Sequence, residues 1–195
     1  MAFDYPVFLD LSGVAVLVVG GGPVGLRKVT GLVAAGARVT VVSPAFVDGF
    51  TALSASLVHR PYESGEAAHY QLVMTATDDP TVNAEVAADA AAAKVWVNSA
   101  DDPHNCSFIL PAVARRGPIA VAVSTGGASP SLAGRIRTEI AATILTDTVE
   151  ATALDLARQR AAIHSAGGST EDIDWSEAVE AAFLPTAPPP TSHDV

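Results

Sequence analysis

The hydrophobic pattern of this chain alternates between short apolar runs and segments with helical spacing. Five runs rich in Val, Leu or Ile have the length and composition of buried parallel strands. They cover residues 14–19, 38–42, 71–76, 95–97 and 119–123. A weaker strand is predicted at Leu57 and Val58.

Helical segments fill the gaps between these strands. From Pro23, apolar residues recur at helical spacing as far as Gly36, which suits a helix C-terminus. Asp79-Pro80 and Ser129-Pro130 each place a capping residue before a first-turn proline, and they open helices to about residues 93 and 144. This alternation predicts an α/β fold, a Rossmann-type parallel sheet with helices on both faces.

The C-terminal part of the chain has no strand pattern. Helix is predicted over 139–165 and, after a Gly-Gly-Ser break, over 174–184. We therefore expect a Rossmann domain over 1–128, a helical region over 129–184 and a disordered, proline-rich tail over 185–195. The apolar face of the helical region has little sheet to cover it, which predicts a homodimer.

Composition and charge exclude several classes of protein. No apolar run approaches the roughly 18 residues that span a bilayer, and the N-terminus does not resemble a signal peptide, so we expect a cytoplasmic protein without a membrane partner. A single cysteine, Cys106, excludes an intrachain disulfide. Residues 139–195 hold two Lys/Arg against ten Asp/Glu, and this acidity argues against a nucleic-acid partner.

The first strand ends in a glycine-rich loop. Gly20, Gly22 and Gly25 have the G-x-G-x-x-G spacing. The first glycine permits a tight turn, the second lets the backbone approach a pyrophosphate, and the third allows close packing of the next helix. That helix begins at Pro23, so its free N–H groups and positive dipole end face the phosphates. The spacing predicts a dinucleotide site.

The segment after the second strand favours NAD over NADP. It contains Ser43, Pro44 and Ala45 and has no carboxylate before Asp48. No cation appears before positions 59 and 60, so a 2′-phosphate has no obvious counter-ion.

Three polar loops follow predicted strands, at residues 77–79, 98–102 and 124–129. Because the carboxyl ends of parallel strands share one edge, we expect these loops to line one site. Each loop also has a structural interpretation that stays open. The first suits a helix cap, the second a turn with solvated carboxylates, and the third a flexible connection.

Three segments resemble the siroheme-synthase dehydrogenase/chelatase family: VLVVGGGPVGLRK, ATDDPTVNAEV and VNSADDPHNCSFILPAVARRGPIAVAVSTGGASPSLAGRIR. The resemblance extends over about residues 5–137. It implies NAD-dependent oxidation of precorrin-2 to sirohydrochlorin, an oxidoreductase reaction of siroheme and porphyrin biosynthesis. It also implies a helical dimerisation region and, as in many members, a ferrochelatase (lyase) activity that inserts ferrous iron.

The same resemblance assigns roles by position. It implies a catalytic aspartate at Asp101. The glycine spacing and the resemblance together predict NAD contacts at Gly20, Gly21, Gly22, Pro23, Val24, Gly25, Ser43, Pro44, Ala45, Thr77, Asn98, Ser99 and Ala100. Because precorrin-2 is a polycarboxylate, cations and loop donors beside these segments are candidate substrate contacts. They are Arg27, Lys28, Arg115, Arg116, Thr125, Gly126, Gly127, Ser129 and Arg135.

No resident metal site is predicted, because the five histidines lack ligand spacing such as His-x-x-x-His. Iron would be a substrate, and one carboxylate, Asp101, could accept a proton and transiently assist Fe²⁺. Two other classes stay open: an NAD-dependent oxidoreductase acting on a small substrate, and a non-catalytic NAD-sensing module.

Overall fold

The computed structural model describes residues 5–100 and 102–184. The chain divides into two compact units, residues 1–110 and 111–195. The boundary predicted after residue 128 lies inside the second unit. Both the predicted catalytic residue Asp101 and the predicted tail at 185–195 lie outside the described residues.

The first unit is built on a five-stranded parallel sheet. Its strands are β1 (Ala15–Val19), β2 (Arg38–Val42), β3 (Ala55–Val58), β4 (Leu72–Thr75) and β5 (Trp96–Ser99). They are arranged in the order β3-β2-β1-β4-β5, and every adjacent pair is parallel. The strand order therefore reverses between β1 and β4, which confirms the predicted doubly wound sheet.

Helices cover both faces of this sheet. They are α1 (Pro23–Ala34) and α2 (Pro80–Ala92). Successive residues of a strand point to opposite faces, so Val18 of β1 packs with Leu32 of α1 while Val19 packs with Val86 of α2. Val16–Val19 of this strand are buried because their side chains pack into the two clusters, which explains the continuous apolar run in the sequence.

The second unit contains a β-hairpin and three helices. Its elements are β6 (Ala112–Arg116), β7 (Ile119–Val123), α3 (Pro130–Thr143), α4 (Asp147–Ser165) and α5 (Ser176–Ala182). The prediction that 119–123 is a buried parallel strand is wrong, because β7 pairs antiparallel with β6 in a separate sheet. The turn between them holds Gly117 at φ +50°, a left-handed conformation that glycine adopts without strain.

The prediction of a continuous helix over 139–165 is also wrong. The chain leaves the helical path after α3 and starts again at Thr146, whose Oγ1 accepts a hydrogen bond from the Val149 N–H at 3.3 Å. This hydroxyl cap begins α4, and Leu145 between the two helices is buried. Within the described ranges, no helix combines the length and apolarity that crossing a bilayer requires.

Candidate functional site

A cavity of about 1120 Å³ opens at the carboxyl edge of the parallel sheet. Its walls come from the segments that follow all five strands, at residues 20–24, 43–47, 61–62, 76–80 and 100–102 as far as they are described. The edge between β1 and β4 is the topological switch point, where open α/β sheets bind their ligands. The sheet topology therefore determines where the cavity lies, and the loops after the strands provide the residues that line it.

Two glycines of the loop after β1 are required by packing. Gly20 has φ +122°, and a Cβ at this position would lie 2.5 Å from the carbonyl oxygen of Ala76. A Cβ at Gly25 would collide with the carbonyl oxygen of Gly20. In both cases the neighbouring atom belongs to the backbone, so no side-chain movement relieves the clash. These glycines close the turn and bring α1 against the strand.

Gly22 has a different role, because a Cβ there would meet no atom within 4 Å. The residue lines the cavity and is the N-cap of α1, with φ −81° and Pro23 as the first helical residue. Backbone N–H groups of a first helical turn have no intrahelical acceptor, and the helix dipole is positive at this end. The site is thus a cradle of backbone donors that fits a pyrophosphate.

The loop after β2 packs directly on this cradle. The Val47 N–H donates to the carbonyl oxygen of Gly21 at 2.9 Å, and a Cβ at Gly21 would collide with the carbonyl oxygen of Ala45. The Ser43 hydroxyl donates to that same Ala45 oxygen at 2.7 Å. Internal hydrogen bonds therefore fix the shape of this wall, which Pro44 completes.

The cavity has an acidic lining. Among the described residues that line it, none is Lys, Arg or His, whereas Asp78, Asp79 and Asp102 are carboxylates. Within the described lining, the groups available to an anionic ligand are therefore the backbone N–H groups and the dipole of α1.

The loop after β4 caps α2, which confirms the structural interpretation of residues 77–79. Asp79 Oδ1 accepts from the Thr81 N–H at 2.8 Å, and the Asn83 amide donates to the carbonyl oxygen of Thr77 at 2.9 Å. Thr77 also lines the cavity, as predicted for a cofactor contact. One loop thus turns the chain into the helix and presents a hydroxyl-bearing residue to the site.

The residues at the end of β5 are buried beneath the site. Asn98 Oδ1 accepts from the Lys28 ammonium at 2.6 Å, and its amide nitrogen donates to the carbonyl oxygen of Phe108 at 3.0 Å. The hydroxyls of Ser99 and Thr75 lie 2.9 Å apart. Asn98 and Ser99 do not line the cavity, whereas the next residue, Ala100, does.

The turn after β5 is stabilised by Asp102 and Cys106. Asp102 Oδ2 accepts from the Asn105 amide at 2.6 Å, and its carbonyl oxygen accepts from the Cys106 thiol at 3.2 Å. The Cys106 sulfur in turn accepts from the Ser99 N–H at 3.1 Å. Burial raises the pKa of this thiol, since it disfavours the thiolate. Cys106 is thus a buried, free cysteine within this turn.

The candidate substrate residue Arg116 is held within the second unit. Its guanidinium donates to Glu150 Oε2 at 2.9 Å and to the carbonyl oxygen of Leu145 at 2.9 Å, and it also pairs with Asp147. These contacts join the hairpin to α4. The other candidate arginines, Arg27, Arg115 and Arg135, are exposed, and Arg135 forms a pair with Glu139 at 3.0 Å.

Residues 124–129 form the entry to α3. The Ser129 N–H donates to the Thr125 hydroxyl at 3.0 Å, and Ser129 Oγ accepts from the Leu132 N–H at 3.1 Å. Gly126 and Gly127 take the positive φ values of +60° and +85° that the turn requires. The expectation that this loop follows a strand of the parallel sheet is wrong, because it follows β7 of the hairpin.

Two lining residues that sequence reasoning missed are Pro61 and Tyr62. They follow β3, which lies beside β2 and so ends at the same edge of the sheet. The weak strand predicted at Leu57 and Val58 was the available signal. The sequence does not connect these residues to the glycine loop, because it does not show that β3 is the neighbour of β2.

In the part of the chain that the structure describes, no group of three or more His, Cys, Asp or Glu could hold a metal ion.

The doubly wound sheet, the glycine loop and the cavity at the switch point define a dinucleotide-binding protein of the Rossmann type. Residues 7–112 match the model of an NAD(P)-binding family, and residues 116–143 match the model described as sirohaem biosynthesis protein central. The chain belongs to this NAD(P)-binding family. The resemblance found in the sequence motifs is thereby confirmed.

Individual relatives agree with this assignment. The siroheme synthases of Tolumonas auensis and Thioalkalivibrio sulfidiphilus are 46% and 47% identical over 142 and 140 residues, which is 71% and 70% of this chain. The chain spans about 30% of the length of these curated relatives. The solved structure of SirC, precorrin-2 dehydrogenase, matches with a TM-score of 0.71 and 27% identity, covering 92% of this chain and 87% of that chain.

Proposed function

We propose that this protein catalyses the NAD-dependent oxidation of precorrin-2 to sirohydrochlorin. The observation that carries the proposal is the cradle at Gly22, which opens on a cavity large enough for a dinucleotide. The likeness to SirC over nearly the full length of both chains supports the substrate. The cation-free lining supports NAD as the cofactor, because a 2′-phosphate would meet no basic side chain among the described lining residues. The cytoplasmic location stays a prediction.

The reaction removes a hydride and a proton from precorrin-2, and NAD, when bound, supplies the hydride acceptor. The chain has to position the dinucleotide and accept the proton. The backbone donors of residues 20–24 would hold the pyrophosphate, and the wall at 43–47 would face the adenosine half, since it follows β2. We propose Asp101 as the proton acceptor on the basis of the motif resemblance. Its neighbours Ala100 and Asp102 both line the cavity.

The proposal is tested by incubating the purified protein with precorrin-2 and NAD under anaerobic conditions while absorbance is recorded. We expect the spectrum of sirohydrochlorin to appear together with NADH at 340 nm in equal amounts. NAD binding without turnover of precorrin-2 would contradict the proposal and favour an oxidoreductase for another, smaller substrate or a sensing module. A parallel incubation with NADP in place of NAD defines the cofactor preference.

We also propose that ferrous iron is a second substrate and that the product is then siroheme. Removal of the pyrrole protons needs a base, and a carboxylate such as Asp101 suits both this step and transient contact with Fe²⁺. Adding Fe²⁺ after sirohydrochlorin has formed should change its spectrum to that of siroheme faster than in a protein-free control. Equal rates with and without protein would restrict the activity to dehydrogenation.

We further propose that the protein is a homodimer. The 19-residue helix α4 has no buried residue, although Leu154 and other apolar residues lie on it. A helix of this length normally gains its stability by burying one face, so a second copy is the expected cover. Sedimentation should give a dimer at micromolar concentration, and Leu154→Glu should shift it towards monomer. Gln159→Glu adds the same charge at a polar position and should leave the dimer intact. A monomeric parent would contradict the proposal.

A further inference from the structure

Arg60 is a cation that lies directly next to the cavity lining in the chain. It follows β3 and directly precedes Pro61 and Tyr62, which line the cavity beside the wall at 43–47. In Rossmann sites the adenosine ribose lies near the end of the second strand, and NADP-dependent proteins place an arginine there for the 2′-phosphate. Arg60 is therefore on the side of the cavity where the two cofactors differ.

The guanidinium of Arg60 is already paired with Glu66. Its Nη2 donates to Glu66 Oε1 at 2.7 Å and its Nη1 donates to Glu66 Oε2 at 3.0 Å, which is a bidentate geometry. Nη1 also donates to the carbonyl oxygen of Pro61 at 2.9 Å. Glu63 lies 3.5 Å from Arg60 Nε, but its side chain is 72% exposed.

Glu66 is well placed to hold this arginine. Its side chain is only 12% exposed, and Oε2 accepts a further hydrogen bond from the Glu63 N–H at 3.2 Å. Burial is the largest single influence on the pKa of this carboxyl and acts to raise it, but the hydrogen bonds from Arg60 and the Glu63 N–H, together with the nearby positive charge, keep the pKa below its usual value. Glu66 is thus a mostly buried anion that binds both terminal nitrogens of the guanidinium.

The carboxylate that usually selects NAD is absent from the described lining residues after β2 and β3. In many Rossmann proteins a carboxylate after the second strand binds the ribose 2′-hydroxyl and repels a 2′-phosphate. Here the described lining residues after β2 and β3 include no carboxylate; they are Ser, Pro, Ala, Phe, Val, Pro and Tyr. The Ser43 hydroxyl donates its hydrogen bond to the carbonyl oxygen of Ala45 in the same loop. A cation that binds a 2′-phosphate would therefore have to come from outside the described lining residues.

We propose that Glu66 is a specificity-determining positioning residue, which disfavours NADP by holding the Arg60 guanidinium away from the 2′-phosphate. This inference rests on the proposed function, because it assigns the cofactor preference of the same site. Removing the negative charge of Glu66 would release a guanidinium whose geometry suits a phosphate group. The Arg60 guanidinium would then be able to bind the 2′-phosphate, the group that distinguishes NADP from NAD.

The test compares NAD and NADP affinities by calorimetry for the parent, Glu66→Gln, Glu63→Gln and the double variant Arg60→Gln/Glu66→Gln. In Glu66→Gln we expect NADP to bind about tenfold more tightly, because a hydrogen-bonded charge pair is gained, while NAD affinity stays within twofold. Glu63→Gln removes an equal charge near the same arginine but leaves the bidentate pair, so it should change neither affinity appreciably. The double variant should lose the gain for NADP.

Two results would overturn the inference. One is an unchanged ratio of NADP to NAD affinity in Glu66→Gln, and the other is a gain that persists in the double variant, which would make it independent of Arg60. If circular dichroism shows that Glu66→Gln is not folded, Glu66→Ala replaces it under the same criteria, since it also removes the carboxylate that binds Arg60. Failure of the parent to bind NAD would instead contradict the proposed function.

Discussion

Replacing Gly22 by valine is expected to abolish measurable NAD binding while the fold stays intact. The backbone at Gly22 has φ −81°, which valine adopts without strain, and a Cβ there meets no protein atom within 4 Å. The added side chain instead enters the cavity at the end of α1, where the pyrophosphate approaches. Loss of two or more charge-assisted hydrogen bonds should weaken binding at least about 100-fold. Calorimetric titration with NAD measures this change, and thermal unfolding monitors the fold.

Two other glycines of the same helix serve as comparisons. Gly31 is exposed on α1 away from the cavity, and a Cβ there also meets no atom within 4 Å, so Gly31→Val should leave NAD affinity unchanged. Gly25→Ala should lower the free energy of unfolding by about 1–3 kcal/mol, because its Cβ collides with backbone that must shift. If Gly22→Val binds NAD as tightly as the parent, the pyrophosphate does not lie at this helix end.

The parts of the fold that were predictable from sequence are those with local signals. The strand at Ala15–Val19 is buried on both faces, so its sequence is apolar throughout, and Asp79-Pro80 marks the start of α2 with a cap and a first-turn proline. The glycine spacing predicted a turn whose steric needs the structure shows at Gly20 and Gly25. In each case the signal lies in a short run of neighbouring residues and can be recognised without knowing the tertiary structure.

The errors arose where the local signal was weak or ambiguous. The run at Ile119–Val123 is as apolar as a parallel strand, but it pairs with β6 in a hairpin, and the adjacent charges of Arg115 and Arg116 hid β6 as a strand. An apolar run does not reveal the strand that it pairs with. The helix break before Thr146 has the same character, because a single hydroxyl cap in an otherwise helical stretch is a weak signal.

The candidate site was predictable only in part, because some of its residues come together only through the order of the strands in the sheet. The wall after β2 could be placed from the sequence, because it follows the strand next to the glycine loop in the chain. Tyr62 could not be placed, because it lines the cavity only as a result of β3 lying beside β2 in the sheet. The pair between Arg60 and Glu66 could not be predicted either, because it depends on the turn at Gly65, which has φ +83°. Arg116 appeared to be a free cation in the sequence, whereas its partners come from α4 and the segment before it.

The adjacent residues Asp101 and Asp102 are expected to differ in their effects when each is replaced by alanine. Asp102 accepts a hydrogen bond from the Asn105 amide at 2.6 Å, and its carbonyl oxygen accepts from Cys106, so this residue stabilises the turn after β5. Asp102→Ala should lower the free energy of unfolding by about 1–3 kcal/mol, the cost of losing a hydrogen bond to a charged group. Its turnover of precorrin-2 should fall much less than that of Asp101→Ala. Thermal or urea unfolding measures the first quantity.

Asp101→Ala should instead reduce dehydrogenase turnover by about 10²–10⁴, the usual cost of removing a positioned general base. The expectation rests on the motif resemblance, which assigns the catalytic aspartate to this position. NAD affinity should be unchanged, because the proposed pyrophosphate contacts are the backbone donors at Gly22 and the first turn of α1. Turnover with precorrin-2 and calorimetry with NAD, measured on both variants, separate the two roles. Near-normal turnover in Asp101→Ala with collapse in Asp102→Ala would reverse the assignment, and normal turnover in both would make the whole loop structural.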